Sequence, residues 1–396
     1  MALPYQGLIS AIFKDYRRQR FSVHQEGLVY QCPLNFRKKH NLATQEINKR
    51  FLKWHEFSFP HILHVGVTTY CNLSCPGCPT GTTALGRPKK HLQFDTFTRA
   101  VDGLRNSLIF MLFWDWGEPL LHPRISDMIQ YAKRSDIKTV ISTNGTIGNS
   151  THKIEQLVAS QPDVITVCVD GANQETYERY RVGGKLDAVI ATLERLAEAK
   201  RKLRVKYPVV DFRVLSTKYT VRQLPALLEM AERTGSNLLS LKTLRPHNYH
   251  GCDIDEEFVP TDLDLARYQY LNGRVEPEDR IYDEGPLMCG KPVYAPTLNS
   301  DGMLTFCSYA SKPEEFYGDV SQDGFRKVWK SRKSREKRSF FLKKEGTYSC
   351  TNCYFRSAHK PTIVATIPLT AFPSDISLQN PLNKKDFLRL YSARPA

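Results

Sequence analysis

Cys71, Cys75 and Cys78 stand in the segment TTYCNLSCPGCPTG, a C-x3-C-x2-C arrangement on one short stretch of chain. Three thiolates held so close can grip three corners of a cubane iron-sulfur cluster and leave the fourth iron without a protein ligand. An open coordination position is what a catalytic metal needs and a structural one avoids. A zinc knuckle would show two C-x2-C pairs or a Cys/His set, and no fourth ligand lies near this segment. A second set follows, with Cys289, then Cys307 in DGMLTFCSY, then Cys350 and Cys353 in SCTNCYF. Four cysteines can close a site completely, which suits a structural or electron-transferring centre because no position is left for substrate. Spacing does not identify the metal, so a four-cysteine zinc ribbon is the alternative here. Cys32, Cys168 and Cys252 read as incidental, Cys168 as a small core residue within a strand.

Something must hold the first loop in place, and the pattern around it supplies the elements. From His61 onward short β-branched runs alternate with helical patterns, the mark of βαβ units and a parallel sheet. Six strands are expected, at 61–69, 108–116, 138–143, 163–170, 209–215 and 238–244. Between them, stretches such as FDTFTRAVDGLRN and LDAVIATLERLAEAKRK carry apolar residues at helical spacing. The fold class is therefore α/β, a partial (β/α)6 TIM-like barrel, and in barrels the chemistry sits at the C-terminal ends of the strands. The first cysteine loop follows the first strand. Beyond Glu284 the chain turns to short strands, turns and cysteines, a small α+β domain. The expected division is an extension at 1–60, the barrel at 61–283, the second domain at 284–360 and a tail at 361–396.

Composition bounds the rest. With 41% hydrophobic and 11% aromatic residues the chain can close a core, which excludes a wholly disordered protein. No apolar run is long enough for a membrane span and the start has no signal-peptide order, so a cytoplasmic location is expected. Cysteines there are thiols or metal ligands rather than disulfides. The net charge of +15 is concentrated in RKVWKSRKSREKRSFFLKK, residues 326–344. That stretch reads as a solvated helix face with Val328, Trp329, Phe340 and Phe341 as its buried stripe, in preference to a phosphate-binding patch.

Taken together, the C-x3-C-x2-C loop after the first strand resembles the radical S-adenosylmethionine (radical SAM) superfamily. The resemblance extends along the barrel. WDWGEPLLHP looks like the family's G-G-E-P motif with Trp116 in place of the first glycine, and implies that Glu118 and the backbone near Gly117 receive the ammonium of S-adenosylmethionine, a role that charge-assisted hydrogen bonding favours. STNGT, containing Ser142 and Asn144, matches a loop near the cofactor's ribose and methionine parts, and VDGANQETYERYRVGG, starting near Asp170, is also typical. Gly77 stands where the family usually has an aromatic residue, so the adenine contact there falls to backbone groups. The second cysteine set resembles a twitch domain, the shortened relative of the SPASM domain, with one auxiliary [4Fe-4S] cluster on Cys289, Cys307, Cys350 and Cys353. A full SPASM domain would carry three more cysteines after Cys353, so two clusters are expected.

What this implies is an oxidoreductase that cleaves S-adenosylmethionine to a 5'-deoxyadenosyl radical and takes hydrogen from a substrate, fed by a reducing partner such as flavodoxin or ferredoxin. The preferred substrate is a small hydroxylated or sugar-like metabolite, since the first sixty residues do not resemble a leader-binding domain. The alternative is a maturase modifying a ribosomally made peptide. From another class, a non-enzymatic zinc and nucleic-acid-binding protein would use the 326–344 segment as its grip, but leaves the open-site loop unexplained. Neither a membrane nor a nucleic acid is the expected partner. Lys242, Arg245, His247 and Tyr309 are candidate substrate contacts by their position near the barrel mouth.

Overall fold

The computed structural model describes residues 19–51, 57–147, 150–244, 255–258, 289–310, 312–342, 348–351 and 363–392. Arg245, His247, Cys252 and Cys353 lie outside them. Thirteen strands are described: β1 (Arg20–Gln25), β2 (Leu28–Pro33), β3 (Ile62–Val65), β4 (Phe110–Phe113), β5 (Lys138–Thr143), β6 (Val164–Cys168), β7 (Val209–Ser216), β8 (Leu238–Thr243), β9 (Thr297–Leu298), β10 (Met303–Thr305), β11 (Phe316–Asp319), β12 (Ile363–Pro368) and β13 (Ile376–Leu378). The six runs read from the sequence become β3 to β8, each parallel to the next, with register pairs such as Leu112 to Val140 and Val140 to Val164.

These strands are buried on both faces, as parallel strands covered on both sides must be. Alternation decides which side chain goes where. Leu63, Met111, Phe113, Ile141, Ile165, Val210, Phe212 and Leu239 join the core shared with the helices. The helix Phe94–Leu104 shows how that layer forms, burying Phe97, Ala100, Val101 and Leu104, a stripe at helical spacing. The opposite phase, Ile62, Phe110, Leu112, Val140, Val164, Val209 and Leu238, packs against Val23, Leu28, Tyr30 and Ile376.

Those last four residues belong to a separate three-stranded antiparallel sheet in the order β1, β2, β13, made from both ends of the chain. It caps the second face of the barrel sheet, with the Tyr30 ring edge-on to Phe110 at 4.7 Å. Buried charge fastens it: the Lys138 ammonium bridges Asp163 at 2.8 Å and Asp375 of the tail. The tail also adds β12 antiparallel to β8, while β9 lies parallel to β3 and begins an antiparallel meander through β10 to β11. One ten-stranded sheet therefore joins the barrel, the cysteine-bearing hairpin and the tail.

The basic segment departs from its expected stripe. Val328, Trp329 and Phe341 are buried, but Phe340 is exposed and Arg338 is fully buried, its guanidinium 4.0 Å above the Trp329 ring. The physical reason is a break: the segment forms two helices, Phe325–Lys330 and Arg332–Leu342, so one helical phase does not run through it. Adjacent residues 340 and 341 lie about 100° apart around a helix, and in the phase this helix takes Phe341 turns to the core while Phe340 faces out. Among the described residues no helix is long and apolar enough to cross a membrane.

Candidate functional site

The first cysteine loop leaves the C-terminal end of β3 and closes on itself. The Cys78 amide donates to the Cys75 carbonyl, and the chain returns so tightly that a Cβ on Gly81 would stand 2.5 Å from the Cys75 carbonyl oxygen. Only glycine permits that return. Leu73 and Cys75 anchor the loop in a small apolar cluster with Tyr180, Leu244 and Phe258. The loop is also tied to neighbouring strand ends, Ser74 donating to Val182 and Glu118 donating to Tyr70 through their backbone amides.

All eight residues singled out for the first cluster and its cofactor, Cys71, Cys75, Cys78, Gly117, Glu118, Ser142, Asn144 and Asp170, line one cavity of about 280 Å³. Burial pushes the Cys71 thiol up and the Cys75 thiol up to about 11, so neither becomes a thiolate without a cation to stabilise it. Two donors already face the sulfurs: Asn144 Nδ2 is 3.9 Å from Cys71 Sγ, and Arg181 Nη1 is 3.8 Å from Cys75 Sγ. Among the described residues no three His, Cys, Asp or Glu side chains surround a single ion position. A cubane takes one thiolate per iron, and three cysteines on one loop match that demand.

Glu118 is the most constrained polar group in the cavity. It is buried, and its Oε1 accepts from the Leu120 amide (2.9 Å) and Thr143 Oγ1 (2.7 Å), while Oε2 accepts from the Asn144 amide (2.7 Å). Burial raises its pKa, opposed by those three hydrogen bonds and by Arg181. A carboxylate offers about four lone-pair positions, so one on Oε2 remains for an incoming donor such as an ammonium. Beside it the backbone of Gly117 comes so close to the cysteine loop that a Cβ there would lie 2.0 Å from the Thr68 carbonyl oxygen. The observed geometry thus suits a small cationic ligand end seated at the loop.

Other residues behave differently from their expected roles. Asp170 lines the cavity with Oδ2 bonded to Arg181 Nε at 2.6 Å and Oδ1 to the Leu215 amide at 2.7 Å, so it holds Arg181 in place while each oxygen keeps a further acceptor position. Cys168 is no core residue: it ends β6 and its sulfur lies in the cavity, 4.0 Å from Ser142 Oγ. Lys242 does line the cavity, bonded to Glu26 at 2.8 Å, whereas Tyr309 sits edge-on to Trp116 at 5.8 Å.

Sequence reasoning gave no role to Arg181, although it lies in the quoted YERYRVGG, and missed Glu26 altogether. Glu26 occupies the turn between β1 and β2 with φ of 51° and reaches the cavity, where its carboxylate meets Arg213 at 2.6 Å. The signal was present in the alternating FSVHQEGLVYQC, a hairpin pattern with Glu-Gly at its centre.

The second cysteine set stands apart from this cavity. Cys289 precedes the short helix Lys291–Tyr294, Cys307 follows β10, and Cys350 is buried in the turn of helix Tyr348–Thr351. All three pack on the main apolar core, and the buried Tyr317 hydroxyl feels both Cys307 and Cys350.

Family models match two parts of the chain: residues 65–231 match the radical SAM superfamily, and residues 289–354 match SPASM, an iron-sulfur cluster-binding domain. The chain is 27% identical over 292 residues to the mycofactocin maturase MftC of Mycobacterium ulcerans (strain Agy99), covering 70% of this chain and 76% of that protein. It is 25% identical over 218 residues to the AdoMet-dependent heme synthase of Methanosarcina barkeri (strain Fusaro / DSM 804), covering 55% and 59%. Among solved structures, Streptococcus suis SuiB bound to precursor peptide SuiA matches in fold with a TM-score of 0.54 at 13% identity, over 89% of this chain and 82% of that one.

Proposed function

The chain belongs to the radical SAM superfamily and carries a SPASM-type iron-sulfur domain, and from that premise we propose that it is a maturase acting on a peptide substrate. Its cofactors are [4Fe-4S] clusters and S-adenosylmethionine, which together supply hydrogen-atom abstraction through a 5'-deoxyadenosyl radical. The observation that carries the peptide reading is the match to the mycofactocin maturase, which covers 76% of that protein and is longer than the radical SAM segment alone. It displaces the small hydroxylated metabolite preferred from sequence.

In this reading Cys71, Cys75 and Cys78 hold the catalytic cluster, and Arg181 and Asn144 direct positive charge and a donor at their sulfurs. Glu118 accepts the cofactor's ammonium, with Thr143 and the Asn144 amide fixing the carboxylate's plane. Ser142, Asn144 and the Gly117 backbone border the rest of the ligand. Asp170 orients Arg181. Burial behind the cap formed by β1, β2 and β13 excludes water from the lower part of the chamber. Cys289, Cys307, Cys350 and Cys353 hold the auxiliary cluster, and the net change in the peptide is oxidative, with a flavodoxin or ferredoxin as electron donor.

The test is anaerobic reconstitution with iron and sulfide, followed by reduction, addition of S-adenosylmethionine and measurement of 5'-deoxyadenosine and iron. Wild type should hold about eight irons and a Cys71/Cys75/Cys78 triple alanine variant about four, without 5'-deoxyadenosine. Short peptides encoded beside the gene are then offered to the loaded enzyme and followed by mass spectrometry. A mass change in a peptide supports the maturase reading. Turnover of S-adenosylmethionine with every such peptide unmodified returns the small-metabolite reading to the front.

A further inference from the structure

Trp116 stands where the motif calls for glycine, and the structure shows what the larger residue does. Its indole Nε1 donates to the Ser308 carbonyl at 2.8 Å, across the junction between the barrel and the second domain. Its ring also meets Tyr309 edge-on at 5.8 Å. Arg87, downstream of the first cysteine loop, reaches the same place: Nη2 donates to the Ala310 carbonyl at 2.6 Å, and Nη1 donates to Asn299 Oδ1 at 2.7 Å and pairs with Asp115 at 3.3 Å.

These contacts bracket one turn. Cys307 opens it, its carbonyl accepting from the Ala310 amide and from Thr305 Oγ1, while the carbonyls of Ser308 and Ala310 are taken by Trp116 and Arg87. The Arg87 and Asp115 side chains are nearly inaccessible, 7% and 3% exposed, so their bonds act where water does not compete. Trp116 also lines the cofactor cavity next to Gly117 and Glu118. One two-residue stretch, Asp115-Trp116, therefore touches the cavity on one side and the Cys307 turn on the other.

We propose that Trp116 and Arg87 are positioning residues that latch the Cys307 turn to the wall of the cofactor cavity, so that barrel side chains fix the geometry of the auxiliary site. This rests on reading Cys289, Cys307, Cys350 and Cys353 as that site. Groups surrounding a cluster ligand tune its cluster, so loosening the latch changes the auxiliary cluster without removing a ligand.

The test isolates the auxiliary cluster in the Cys71/Cys75/Cys78 triple alanine background and adds Trp116→Phe or Arg87→Lys. Trp116→Phe keeps a smaller aromatic ring and loses the donor; Arg87→Lys keeps the charge and loses the fork that reaches three acceptors. Expected are iron still near four per chain, an altered electron paramagnetic resonance spectrum and midpoint potential of the reduced cluster, and faster hydrogen exchange in residues 305–310. The exchange should rise about five-fold in Trp116→Phe, as loss of one neutral hydrogen bond allows, and by more in Arg87→Lys, whose lost bonds are charge-assisted. Exchange in the helix Leu186–Leu203 should not move. Unchanged spectrum and exchange at equal iron content, or a rise that includes that helix, overturns the latch. A triple alanine parent that binds no iron overturns the four-cysteine assignment itself, and the latch with it.

Discussion

Replacing Glu118 by glutamine preserves the side chain's shape and removes its charge, which makes the consequences calculable. The carboxylate accepts three hydrogen bonds, two at Oε1 and one at Oε2. A glutamine oxygen placed at Oε1 keeps Leu120 and Thr143 but turns its NH2 onto the Asn144 amide, donor against donor. One orphaned buried donor costs about 1 to 3 kcal/mol in stability. If Glu118 receives the ammonium of S-adenosylmethionine as proposed, the ligand also loses a charge-assisted acceptor, about 1.5 to 3 kcal/mol, which weakens binding roughly 10- to 150-fold. Urea unfolding reads the first effect, and titration of the reconstituted protein with S-adenosylmethionine, followed by the spectrum of the first cluster, reads the second. A folded, iron-loaded Glu118→Gln protein that binds the cofactor as wild type does would refute the assignment of the free Oε2 position to the ammonium.

Asp115 is held near pKa 6 by burial, with Arg87 opposing, against an ordinary value of 3.8. As pH falls the native state takes this proton before the unfolded chain does, so the ionised carboxylate costs stability above pH 6 and the cost fades towards pH 4. The displacement from 3.8 to about 6 corresponds to about 3 kcal/mol, so wild type should lose up to that order between pH 4 and pH 7 relative to Asp115→Asn, whose own stability is lowered by the stranded Arg87. Parallel unfolding curves from pH 4.5 to 7.5 would count against it. Arg181→Met removes the cation beside Cys75 and strands the buried Asp170; iron should drop towards about four per chain, with Arg181→Lys recovering part, and full iron retention would deny Arg181 a part in the site. Glu26→Ala removes one partner each from Arg213, which keeps Asp211, and from Lys242, and should cost about 2 kcal/mol in chemical denaturation, whereas an unchanged midpoint would mean the hairpin tip is not held by charge.

That the proposed cofactor residues line one cavity was legible because their signals are local. The first cysteine loop, WGEP and STNGT each follow a strand, and a parallel α/β sheet brings strand ends to one side regardless of what joins them. The six strands could be read from β-branched runs because parallel strands are apolar on both faces. The Phe340 error has a local cause too, since a helix break at Ser331 resets the phase and carries no glycine or proline to announce it.

What escaped the sequence are pairings between distant segments. That β12 would extend the barrel sheet beside β8, and β13 join β2, depends on strand edges that 100 or more intervening residues bring together, and no periodicity within either segment encodes a partner. Glu26 entering the cavity, Arg181 turned from Asp170 to the Cys75 sulfur, and Trp116 crossing to Ser308 are of the same kind. Residue types and spacing determined the chemistry this chain can support, because cluster ligation needs only a few thiols on one loop. Tertiary structure alone decided which charges, donors and rings surround that chemistry, because hydrogen bonds and ion pairs are settled by distance in space and not by distance along the chain.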